Sequence, residues 1–162
     1  MAVHRLQLEE EEDDFSLFAI HCGELPFKMA FLMNQSVRWQ LKREREDVSV
    51  LRGGKQQQYP KYRYVSRHDQ VDHLLLSNIG HVDQDTAVEP QMGLFEGMAV
   101  QNSSVSYLMP EFKKVDYLLK IEATLAEATK KTIVAQIKSI KEVVSTYIIQ
   151  HNKIKHINAL NN

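Results

Sequence analysis

A chain of 162 residues suffices for one domain that buries roughly two-thirds of the surface its unfolded form exposes, so no covalent staple is required. Its single cysteine, Cys22, excludes an internal disulfide, points to a reducing compartment, and leaves only histidines at unrelated spacings from which no metal pattern can be built. The net charge of -1 conceals blocks of -5 over residues 1–14, +6 over 38–67, -7 over 68–112 and +5 over 113–162, read first as solvated faces.

Six consecutive acids, Glu9 to Asp14, reverse the basic-then-apolar order of a secretory leader and read as a disordered acidic lead. No stretch reaches the roughly 20 apolar residues of a membrane helix, so the expectation is a cytoplasmic chain with no membrane contact. Residues 15–21 favour a strand, and Gly23 to Pro26 a turn into a helix with Leu25, Met29, Leu32 and Met33 as its apolar stripe, ending near Ser36. Val37, Trp39 and Leu41 then alternate with Arg38, Gln40 and Lys42, the period of a strand. Residues 43–58 suggest an excursion with a short strand at 48–51, while 59–65 and 73–79 suit an antiparallel pair and 80–104 a long loop. A strand is expected over 115–121. Thr124 and Glu127 have capping-box spacing for a helix carrying Leu125, Ala128, Ile133, Ile137 and Ile140, and 143–149 is rich in β-branched residues that suit a strand.

Strand-helix-strand thus occurs twice. The fold class expected is α+β: a mainly antiparallel sheet with two helices on one face, ferredoxin-like with an enlarged middle, over a single domain at 15–152 followed by a polar tail at 153–162. The alternative is a sheet plus one long carboxy-terminal helix that continues through 143–154.

The run Met109-Pro-Glu-Phe-Lys-Lys-Val-Asp-Tyr117 resembles the signature of the bacterial IPExxxVDY family, with Met109 in place of the usual Ile. Ile20-His21 with Glu24, residues 29–34, the Leu76-Ser-Asn78 run and residues 117–121 look like the same family, so the similarity extends from Phe15 to about Tyr147. The resemblance implies no activity, cofactor or substrate.

Pro110, Glu111, Lys113, Lys114, Asp116 and Tyr117 form the first candidate surface. Pro110 should hold Met109 extended, and along a strand Val115, Tyr117 and Leu119 would face opposite to Asp116, so the two acids need not converge. Their bland role is to fix a kinked strand entry, with Glu111 accepting backbone or lysine hydrogen bonds and Asp116 paired with a base. The strand-to-helix junction at His21 and Glu24 is a second candidate, for an anion or small ligand. Arg38, Lys42 and Arg63, interleaved with Trp39 and Tyr64, form a third, for RNA. No nucleotide-loop or hydrolase motif occurs, no catalytic or metal-ligating set is assigned, and no cofactor is expected. The functional expectation is a non-enzymatic interaction module, homodimeric and with an unidentified protein partner; the alternatives are an ACT-like small-ligand regulatory domain and an RNA-binding accessory protein.

Overall fold

Alternation of apolar side chains to both faces of the central strands organises the architecture. The computed structural model describes residues 14–82 and 105–161. Along the chain run β1 (Ser16–His21), α1 (Pro26–Val37), β2 (Lys42–Arg43), β3 (Val48–Arg52), β4 (Lys55–Tyr59), β5 (Lys61–Val65), β6 (Asp72–Ser77), β7 (Ile79–Val82), β8 (Ser106–Tyr107), β9 (Tyr117–Ile121), α2 (Glu127–Lys138) and β10 (Ser145–Ile149). A six-stranded antiparallel sheet has the order β10-β1-β9-β6-β5-β2, and a four-stranded sheet the order β3-β4-β7-β8. The chain is α+β, with a mainly antiparallel sheet and two helices.

Strands β1 and β9 are buried on both faces, which is why they are nearly unbroken apolar runs. Phe18 and Ile20 of β1 with Tyr117, Leu119 and Ile121 of β9 pack under both helices, against Met29, Met33 and Val37 of α1 and Ile133 and Ile137 of α2. Leu17, Ala19 and Leu118 point the other way, onto Val48 and Tyr59 of the small sheet and onto Leu108, Met109, Val115 and Leu160. Val115 therefore does not share the face of Tyr117 and Leu119, because the chain is still in a turn there and regular alternation starts only at Tyr117. Among the described residues no helix is long and apolar enough to cross a membrane.

The expected pairing of 59–65 with 73–79 is present as β5 against β6, with Lys61 opposite Leu76 and Val65 opposite Asp72. Several other expectations are corrected. The strand at 37–41 is absent, because Val37 closes α1 and the Asn34 side chain occupies the backbone of Leu41, accepting its N–H at 2.8 Å and donating to its C=O at 3.0 Å. Leu25 precedes α1 in extended conformation, 63% exposed, instead of heading its buried stripe. The short strand expected at 48–51 is present as β3, but it is one arm of a hairpin over 48–59 rather than part of an excursion, turned by Gly53 and Gly54 at φ 58° and 75°, the left-handed pair that a two-residue hairpin loop requires. Thr124 does not cap α2: Ala126 holds that position without a side-chain cap, and the Thr124 hydroxyl donates to Asp14.

The long carboxy-terminal helix is also excluded. α2 stops at Lys138, and Ser145–Ile149 pairs with β1, Leu17 opposite Ile149 and His21 opposite Ser145. Within the expected polar tail, residues 153–161 are tied to the fold: Ala159 and Leu160 are buried, and the Lys120 ammonium donates to the Leu160 carbonyl at 3.2 Å and the Asn161 side chain at 2.8 Å. Of the expected lead and long loop, residues 1–13 and 83–104 lie outside the described residues, while 80–82 belong to β7.

Candidate functional site

The motif run is a turn wrapped around one asparagine. Asn78, wholly buried where β6 ends, donates from Nδ2 to the carbonyls of Phe112 and Val115 at 2.9 and 2.8 Å and accepts the Met109 N–H on Oδ1 at 2.8 Å. Its backbone donates to the Asp116 carbonyl and accepts from the Leu108 N–H, both at 2.8 Å. Burying an amide is tolerable only when its groups are paired in this way. Pro110 opens the single turn of 3-10 helix, Pro110–Phe112, that this amide holds, with Met109 extended before it at φ -118°.

The two acids of the motif diverge. Glu111 reaches the carboxy-terminal segment, accepting the N–H groups of Lys155 and His156 at 2.7 and 3.0 Å on one oxygen and meeting His156 Nδ1 at 2.7 Å with the other. Burial works to raise its pKa, and these hydrogen bonds together with one from its own N–H outweigh that, leaving the carboxyl below its ordinary range. Among the described residues Asp116 meets no base. Its Oδ2 accepts the Cys22 N–H at 2.8 Å, while its own N–H donates to the Ile20 carbonyl at 3.1 Å, so a side chain extends the β1/β9 ladder past the end of β9. Lys113 and Lys114 are exposed between the two acids.

Tyr117 and Asp116 line a cavity of about 240 Å³ with Cys22, Glu24, Leu25 and Ile79, where β1 gives way to α1. The Tyr117 hydroxyl donates to the Glu24 carbonyl, and burial first, then nearby negative groups, raises its pKa. Burial likewise raises the Cys22 thiol, and a thiol kept protonated is a poor nucleophile. Glu24 belongs to this cavity and pairs with Lys28 at 2.9 Å; His21 stands apart from it, its ring 5.8 Å from that of Tyr147 on β10.

The basic residues are arranged differently. Lys42 lies opposite Arg63 across β2 and β5, and Arg63 forks onto Asp72 with two bonds of 2.9 Å. Arg38 ends α1 in left-handed conformation at φ 57°. Tyr62 and Tyr64 flank Arg63 in the strand and pack with Trp39 on the helix side of the sheet, so the Arg63 guanidinium occupies the opposite face, while that of Arg43 lies over the Tyr62 ring, 5.5 Å from its centre. Among the described residues no group of three or more His, Cys, Asp or Glu is placed to hold a metal ion.

Asn78 and the pinned tail are the parts sequence reasoning missed. The signals were a polar residue closing an apolar run, and Ile154, Ile157, Ala159 and Leu160 spaced among the polar residues of the ending. Compared with family models, curated proteins and solved structures, the chain finds no match in any of the three, and the likeness to the IPExxxVDY signature rests on the residues that carry it.

Proposed function

We propose that this chain is a non-enzymatic interaction module of the IPExxxVDY kind that assembles with a second copy of itself through the open edge of β10. In this reading the order β10-β1-β9-β6 is ferredoxin-like, and β2 to β5 with β7 and β8 form its enlarged middle. The carrying observation is the contrast between the two ends of the six-stranded sheet. At one end β2 is two residues long and both are cationic, the usual protection of an exposed edge. At the other, Ser-Thr-Tyr-Ile-Ile of β10 is five residues long with neither charge nor proline, Tyr147 is 44% exposed on it, and Val144 beside it is 81% exposed.

A strand that pairs with its own copy about a two-fold axis satisfies both edges with one contact, and β-branched and aromatic side chains strengthen such pairs across strands. The motif supports the same reading, because both of its carboxylates are spent on backbone N–H groups that close the fold. RNA binding would instead ask exposed rings and basic groups to share a face; here Arg63 lies opposite Tyr62 and Tyr64, and the Arg43 guanidinium, 5.5 Å from the Tyr62 ring centre, covers a ring that is already buried in the core.

Light scattering at micromolar concentration should give about twice the chain mass of 18.8 kDa. Replacing Val144 and Tyr147 together by lysine should halve that mass without changing the circular dichroism. A wild-type monomer throughout the range, or a lysine variant that still dimerises, would defeat the proposal.

A further inference from the structure

A second cavity, of about 300 Å³, lies between α2 and the hairpin of β5 and β6. Three aromatic rings from distant parts of the chain meet at it. Trp39 and Tyr64 are nearly parallel, 18° apart with centroids 6.3 Å from each other, and the His73 ring lies 4.6 Å from the first and 5.4 Å from the second. Asp69 enters from the turn between the two strands, and Thr129 and Gln136 of α2 supply polar groups opposite.

The charge balance of this lining is one-sided. Among the described residues Asp69 is its carboxylate, and neither lysine nor arginine lines it. The Ser66 hydroxyl beside Asp69 is the main cause holding its carboxyl below the ordinary range, so the negative charge persists at neutral pH. Burial keeps the His73 ring from protonating, its Nδ1 lies 3.1 Å from the Val71 carbonyl and carries the proton in the neutral ring, and Nε2 is left as an acceptor with no partner among the described residues. A carboxylate, an acceptor nitrogen and the π-systems of Trp39 and Tyr64 line one cavity, and that combination selects positive charge. An anion would face the Asp69 carboxylate with only uncharged hydroxyl and amide groups to offset it.

We propose that this cavity binds an organic cation of the ammonium or guanidinium type, its charge toward Asp69 and its body against Trp39 and Tyr64. Trp39 is the chain's one tryptophan, so its emission reports occupancy directly. The experiment titrates the full chain with choline, with arginine amide and with 3,3-dimethylbutan-1-ol, the uncharged counterpart of choline, at constant ionic strength. Saturable change is expected with at least one cation, the response telling quaternary from planar charge, and the neutral alcohol should bind at least about tenfold more weakly. Asp69→Asn, at an exposed position that leaves folding intact, should weaken the cation by about the same factor. The proposal is overturned by no saturable response to either cation, by equal binding of the alcohol, or by an Asn variant that binds as the wild type does.

Discussion

Asn78 shows how much of this fold one side chain holds. Its amide donates to two carbonyls of the motif turn, so Asn78→Asp would set a carboxylate against both of them in a buried site. The expected loss is ~3–5 kcal/mol, in the range for an uncompensated buried charge. Asn78→Ala, which only strands the partners, should cost ~2–4 kcal/mol. Urea denaturation measures both, and a loss below about 1 kcal/mol for the Asp variant would show that the turn stands without its clamp. Sequence reading placed Glu111 on backbone donors but gave Asp116 a base where it has the Cys22 N–H. The difference is one of information: Glu111 and Asp116 announce themselves in a motif, whereas the partner of each is set by chain segments 45 and 94 residues away.

Among the elements, those with long apolar runs were legible in advance in kind and approximate place: β1, α1, the β5/β6 pair, β9, α2 and β10 are all present, with β9, α2 and β10 starting two or three residues later than period and composition put them. Two of the failures share a cause, a side chain doing what backbone usually does. Asn34 occupied Leu41 and cancelled a strand. The Ser16 hydroxyl accepts the Leu125 N–H and donates to the Ala123 carbonyl, tying the chain to β1 and delaying the start of α2 past the Thr124 frame. That delay leaves Ala126 at the first cap position with no side-chain acceptor. Ala126→Ser should therefore stabilise the protein by ~1 kcal/mol, the ordinary worth of such a cap, seen as a higher urea midpoint with unchanged slope. No gain would mean that the amides of the first turn are already satisfied.

For the whole molecule, acid should act in two stages. Burial first holds His73 below its ordinary pKa of about 6.5, against the Val71 carbonyl, Asp69 and Asp72, which pull it upward. The unfolded chain takes that proton more readily, so this stability is complete above about pH 6.5 and is lost as pH falls through the lower folded value. Glu111 follows the same sign in a lower window: its contribution is present above about pH 4.3 and disappears beneath it, freeing residues 153–161. Thermal scans from about pH 8 to 3 should show both declines; His73→Gln should flatten the first, and Glu111→Gln should make the last residues protease-sensitive already at neutral pH. A melting temperature level between about pH 7 and 5 would refute the first stage. The strand order has a further consequence, for synthesis. Strand β1 touches only β9 and β10 in its sheet, and its nearest ladder partner, Tyr117 opposite Ile20, is almost a hundred residues downstream. A nascent chain must therefore carry this apolar strand without its neighbours until most of the polypeptide has left the ribosome, the interval in which holding chaperones are most needed.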